Sequence, residues 1–326
     1  EEKKRRVCKN AVNGLGLLRS PTRDKPARHN KWAPHKKPND HKAALNNKDS
    51  IHLLTALTSI TKYRDLHMTP LRSLFAALLL PLCATTAHAQ DWKEIRFGVF
   101  PEYPPFESVA ADGSLQGFDI ELGNAICAKL EVKCTWVHNE FDGMIPALRA
   151  RKFDAIMSSM AVTPAREKVI DFTDRLFLSP TSVITRKSAE FGDTPESLKG
   201  KQVGVLQGSL QEAYARAQLA KLGAQIKAYQ SQEQNYADLQ NGRLDATLTD
   251  KLEAQLNFLS KPEGADFKTG PAFKDPTLPL DIAMGLRKND KELVELINKG
   301  IAAVQADGTY AQIQKKYFGD QDIYNE

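Results

Sequence analysis

Apolar positions along this chain alternate between two periods. Ile95–Phe100 (IRFGVF) and Gln202–Leu206 (QVGVL) are short runs rich in β-branched and aromatic residues, the signature of buried strands. Phe118, Leu122, Ile126 and Leu130 recur four residues apart, which predicts an amphipathic helix opening after Asp119, with that aspartate as N-cap. Lys291–Ala306 predicts another helix. Strands and helices that take turns define an α/β chain with largely parallel sheets.

The pattern also repeats. Phe97-Gly-Val-Phe100 is echoed by Val203-Gly-Val-Leu206, and Ala147-Leu-Arg-Ala-Arg-Lys-Phe-Asp-Ala155 by Asp238-Leu-Gln-Asn-Gly-Arg-Leu-Asp-Ala246. Each Asp-Ala pair opens a strand that runs out on polar residues, Ser158-Ser159 in one half and Thr249-Asp250 in the other. Ligands of open α/β sheets bind at the carboxyl ends of strands. Two such units predict two lobes facing one another across a cleft.

The first 90 residues have another character. Met68 opens Met-Thr-Pro-Leu-Arg72, followed by the apolar Ser73–Cys83 and the small-x-small triplet Ala87-His88-Ala89, the layout of a secretory signal over 68–89. Residues 1–67 lack methionine and show no sustained period; they read as an extension upstream of the working protein, expected to be disordered, and carry no fold argument. The split changes the charge picture. The whole chain has 45 Lys+Arg against 40 Asp+Glu, but residues 1–90 hold 17 of the basic and 6 of the acidic ones, leaving 28 against 34 over 91–326. A mildly acidic, exported protein is expected, with no nucleic acid as partner. Cys127 and Cys134, an even pair in an exported chain, favour one local disulfide. His138 is the single histidine after residue 90, so neither a metal site nor a Ser-His-Asp arrangement is expected.

A set of short motifs then runs through residues 91–326. They are Tyr103-Pro-Pro-Phe106, Gly117-Phe-Asp-Ile-Glu-Leu122, Cys127 with Val132-Lys-Cys-Thr-Trp136, Phe141-Asp142, Asp154-Ala-Ile-Met-Ser-Ser159, Thr163-Pro-Ala-Arg166, Glu196-Ser-Leu-Lys-Gly-Lys201, Gly204-Val-Leu-Gln-Gly-Ser209, Gly242-Arg-Leu-Asp-Ala246, Gly285-Leu-Arg-Lys288 and Asp307-Gly-Thr-Tyr310. In this order the chain resembles the periplasmic amino-acid-binding proteins of ABC importers, in particular the lysine/arginine/ornithine- and histidine-binding group. The resemblance implies a type II, Venus-flytrap fold, with lobe 1 from 91–178 and 282–326, lobe 2 from 182–272, and hinge segments at 179–181 and 273–281. It implies a monomeric, non-enzymatic periplasmic protein without cofactor that hands an L-amino acid to a membrane permease. It also implies a Cys127–Cys134 disulfide.

The residue types fit that ligand. Arg166 offers a planar fork to a carboxylate, with Ser158, Ser159 and Ser209 nearby, and Asp250 suits an ammonium. Tyr103 and Phe141 offer flat faces to a side chain, with cation–π attraction if it is cationic. Leu206, Leu210 and Gln211 complete the candidate wall. Each has a plainer use: Arg166 in a surface ion pair, the aromatics in a core, Asp250 as a helix cap. Asp119 and Asp142 read as helix-start caps, and Asp154 and Asp245 as structural. The chain departs from the resembled group at Phe100, where that group commonly has an acidic residue facing the ligand's distal charge. Glu102 is the candidate to compensate. Ala161 and Leu210 replace a usual serine and threonine. The competing function is a dehydratase of cyclohexadienyl acids such as arogenate, for which Glu102 is the candidate acid or base.

Overall fold

The computed structural model describes residues 92–325 apart from residue 193. The expected signal and the extension before it lie outside the described residues. The strands and helices that position the cleft follow in chain order as β1 (Glu94–Val99), α1 (Phe118–Lys129), β2 (Lys133–His138), α2 (Met144–Arg149), β3 (Ala155–Ile156), α3 (Pro164–Glu167), β4 (Ile170–Phe172), β5 (Thr181–Arg186), β6 (Gln202–Leu206), α4 (Leu210–Tyr214), β7 (Gln225–Tyr229), α5 (Gln232–Gln240), β8 (Ala246–Asp250), β9 (Phe267–Ala272) and β10 (Gly285–Arg287). Two C-terminal helices, Lys291–Ala306 and Thr309–Phe318, complete the chain.

Two five-stranded sheets share one plan. The first runs β2-β1-β3-β10-β4 and the second β7-β6-β8-β5-β9. In each, a central strand has parallel neighbours on both sides, and an antiparallel strand follows. The repeat seen in the sequence is matched in register, with Phe97 and Gly98 opposite Ala155 and Ile156, and Val203 and Gly204 opposite Ala246 and Thr247. Asp154 and Asp245 hold equivalent places. Each accepts a backbone N–H from the neighbouring strand, from Arg96 at 3.1 Å and from Gln202 at 2.7 Å. The chain passes from the first sheet to the second between β4 and β5, and returns between β9 and β10.

Burial follows the pattern. Phe118, Leu122 and Ile126 put the apolar stripe of α1 into the core. That face meets helix Lys291–Ala306 at Gly300, where a Cβ would lie 2.7 Å from Ile126. Phe106 stacks on Phe177 with ring centroids 5.0 Å apart, and Phe118 and Phe318 pack around them. The disulfide Cys127–Cys134 ties the end of α1 to β2. No helix among the described residues is long and apolar enough to cross a membrane.

Both proposed caps differ from expectation. Gly117, not Asp119, is the N-cap of α1. The Asp119 carboxylate turns away from its own helix and accepts the Ser159 N–H at 2.8 Å. Asp142 accepts from the Gln207 amide at 2.6 Å, a bond between the two sheet units. In both cases a tertiary partner outcompetes the local N–H groups that make short polar residues good caps.

Candidate functional site

The carboxyl ends of β1, β3, β6 and β8 face one another, and their loops form a cleft. Tyr103, Phe141, Ser158, Ser159 and Arg166 line it from the first unit, and Leu206, Ser209, Leu210, Gln211 and Asp250 from the second. The accessible space they leave is about 20 Å³, room for about one water. Closure is made by bonds between the two walls. The Tyr103 hydroxyl donates to Asp250 Oδ2 at 2.8 Å, and Arg166 Nη2 donates to the Gly208 carbonyl at 3.1 Å.

Arg166 owes its place to the short helix α3. Thr163 caps it through Oγ1, and Pro164 occupies the first turn, where its missing N–H costs nothing. The guanidinium lies 5.7 Å over the Phe141 ring and donates from Nη1 to the Ala161 carbonyl at 2.7 Å. Burial pulls its pKa down to about 10, with Asp250 opposing the shift, so it stays protonated at neutral pH. Two of its five N–H donors have these backbone partners.

Asp250 ends β8 and sits at the N-cap position of the helical segment from Lys251, yet its side chain caps nothing. It faces the cleft instead, accepting from Tyr103 and, at Oδ1, from Gln211 Nε2 at 2.8 Å. Burial pushes the carboxyl up to about 6, against the pull of Tyr103 and Gln211. Ser209 caps α4 by accepting the Glu212 N–H at 3.0 Å, which leaves its hydroxyl hydrogen free to donate.

Ser158 and Ser159 line the cleft, but their hydroxyls are directed into the first unit. Ser158 Oγ accepts the Phe100 N–H at 3.0 Å and donates to Glu107 Oε1 at 2.8 Å. Ser159, held at φ +47°, directs its hydroxyl to Asp119 at 3.2 Å. Positive φ in a non-glycine residue stores strain, and such positions gather at functional sites. Beneath the serines, burial pushes Glu107 well above the ordinary carboxylate range, helped by the neighbouring Asp119, which burial raises to about 7. Each of these two buried carboxyls disfavours ionisation of the other.

Phe100 and Glu102 do not line the cleft. Phe100 is fully buried in the first unit and meets the edge of Phe141 at 6.3 Å, so it braces a cleft aromatic from behind. Glu102 is exposed and lines a separate outer hollow with Glu233 and Lys261. It is thereby also removed as a cleft acid for the enzymatic alternative. Glu107 and Thr249 also line the cleft, though neither is among the ligand-binding candidates read from the sequence. Glu107 follows directly on the Tyr-Pro-Pro-Phe motif, and Thr249 precedes Asp250 at the polar strand end, so adjacency was the one available signal.

Two lobes of like plan, closed over facing aromatic, cationic and anionic side chains, define a solute-binding protein of the two-lobe α/β class. The match to a known family is direct: residues 95–320 fit the bacterial extracellular solute-binding proteins, family 3, and the chain belongs to that family. Among its relatives, the histidine-binding periplasmic protein of Salmonella typhimurium LT2 is 46% identical over 243 residues, 74% of this chain and 93% of that one. The lysine/arginine/ornithine-binding periplasmic protein of Escherichia coli K12 is 43% identical over 259 residues, 78% of this chain and 99% of that one. An ancestral arginine-binding protein solved with arginine bound superposes with a TM-score of 0.65 at 34% identity, covering 70% of this chain and 99% of that one. These relatives are binding proteins, and the chain is a binding protein rather than an enzyme.

Proposed function

We propose that the protein captures a cationic L-amino acid (arginine, lysine, ornithine or histidine) in the periplasm and delivers it, as a monomer, to the membrane permease of an ABC importer. One observation carries the reading: Arg166 and Asp250, of opposite charge, face one cleft from opposite walls, with the Phe141 ring against the guanidinium and the Tyr103 hydroxyl bonded to the carboxylate. The ligand carboxylate bonds the Arg166 fork, its ammonium takes over Asp250 from Tyr103, and its side chain lies between the two rings. A ligand that touches both walls stabilises the closed arrangement by its contacts with each. The names of the relatives support a cationic side chain, as do the two aromatic faces.

A thermal-shift screen of the twenty amino acids with ornithine and citrulline tests this, since a specific ligand raises Tm by mass action. Arginine, lysine, ornithine or histidine is expected to give the largest rise. A screen in which no α-amino acid moves Tm overturns the reading, and one led by a neutral or acidic amino acid overturns the choice of ligand.

A further inference from the structure

Glu253 is fully buried three residues beyond Asp250, and the scheme above gives it no task. Its carboxylate accepts from the Tyr236 hydroxyl, from Asn257 Nδ2 at 2.9 Å and from Thr249 Oγ1 at 3.2 Å. Thr249 lines the cleft. An ionised carboxylate only accepts, so the Thr249 hydroxyl hydrogen points back toward Glu253. On its other side, Thr249 Oγ1 lies 3.4 Å from the Tyr103 hydroxyl, whose own hydrogen goes to Asp250. Thr249 therefore turns lone pairs, not a hydrogen, toward the cleft, beside the Asp250 carboxylate.

We propose that Thr249 is a second acceptor for the ligand's ammonium, and that Glu253 is the positioning residue that holds its hydroxyl in the accepting orientation. This rests on the reading that the cleft takes an amino acid with its ammonium at Asp250. An ammonium brings three N–H donors and needs several acceptors in a closed site. A freely rotating hydroxyl has to be ordered, oxygen toward the cation, at the moment of binding. A buried carboxylate behind it fixes the choice before the ligand arrives, which lowers the ordering cost of binding.

The titratable groups around Glu253 are Tyr236 on α5, Asp250 on its own segment and Tyr103 from the opposite wall. Burial pushes Glu253 up to about 7, and Asp250 adds to the rise against the Tyr236 and Asn257 bonds. The accepting orientation of Thr249 is thus held above that pH and lost below it, when Glu253 carries its own hydrogen.

Calorimetry with arginine on the full chain tests the assignment. At pH 8, Glu253→Gln and Thr249→Val are each expected to weaken binding about tenfold, and Thr249→Ser to stay within about twofold of wild type. The amide of Glu253→Gln carries a donor where the ionised carboxylate has none, so it no longer dictates the direction of the Thr249 hydrogen. Because both residues act through one hydroxyl, the double variant Glu253→Gln/Thr249→Val should bind no more weakly than Thr249→Val alone. The part of the wild-type affinity change centred near pH 7 should vanish in Glu253→Gln. Wild-type affinity in Glu253→Gln, or additive losses in the double variant, overturns the proposal. If Glu253→Gln fails to fold, the threonine pair decides: equal affinity for Val and Ser at position 249 overturns it. A wild-type protein that binds no amino acid instead removes the functional reading on which the proposal rests.

Discussion

Tyr103 of one lobe donates its phenolic hydrogen to Asp250 of the other at 2.8 Å. The bond joins the two residues to which the proposed function gives the ligand's side chain and its ammonium. An incoming amino acid exchanges this neutral donor for a charged one, which adds ion-pair attraction to the hydrogen bond. Burial of the same pair sets the pH behaviour of the site.

The Asp250 carboxyl is raised to about 6, chiefly by burial. A raised carboxyl favours its protonated form in the closed cleft, so that form loses stability as pH climbs through the ordinary value toward 6, with no further loss above it. Ligand binding has the opposite need, because an ammonium pairs with the ionised form. Affinity is expected to fall as pH drops below about 6, by at most tenfold per unit, with a proton released on binding. Calorimetry in buffers of different ionisation enthalpy reads that proton. The step should persist in Glu253→Gln, and a constant affinity from pH 7 to 4.5 would detach Asp250 from the ammonium.

In the proposed binding mode, removing Arg166 leaves the ligand carboxylate desolvated and unpaired. Arg166→Ala is expected to cost about 2 to 5 kcal/mol of binding. Its other bonds reach only the Ala161 and Gly208 carbonyls, one of them from an exposed atom, so the melting temperature without ligand should change little. Titration showing wild-type affinity would take Arg166 out of the site.

Position 100 is a packing position in this chain. Phe100 has no exposed surface, so Phe100→Asp buries a carboxylate in an apolar setting. It should lower stability by about 3 to 5 kcal/mol instead of sharpening preference for arginine over glutamine. Exposed Glu102, changed to glutamine, should leave that preference alone. Denaturant unfolding of the first variant and competition titrations of both decide. A stable Phe100→Asp with a sharper preference would show that the side chain does reach the ligand.

Gly208 tests closure itself. It sits at φ +76° with a would-be Cβ 2.6 Å from the Asp142 Cα on the facing lobe. Gly208→Ala forces the walls apart there and adds left-handed strain. Binding is expected to weaken at least about tenfold, while both lobes stay folded. Small-angle scattering should find the ligand-saturated variant more open than wild type. Unchanged affinity would mean that ligand capture does not need this approach.

The sequence by itself determined the layout, because period and local chemistry suffice for it. Alternating strand and helix patterns, the repeated Gly-Val and Asp-Ala units and the Thr-Pro start before Arg166 all act within a few residues. Helix Lys291–Ala306 and strand Gln202–Leu206 fall on the bounds their patterns mark. What lies in the cleft and what lies behind it was decided by tertiary structure alone. Asp119 reads as a cap until Ser159, forty positions away, supplies better donors. Phe100 and Tyr103 stand three positions apart and look alike as aromatics beside a strand end, yet one braces a wall and the other forms it. Glu253 stands four positions after Thr249, and the sequence does not mark the pair; burial of both and the approach of Tyr236 and Tyr103 give it its setting. Side-chain direction at a strand end, and competition for buried hydrogen bonds, depend on neighbours brought in from distant segments, and no local pattern encodes them.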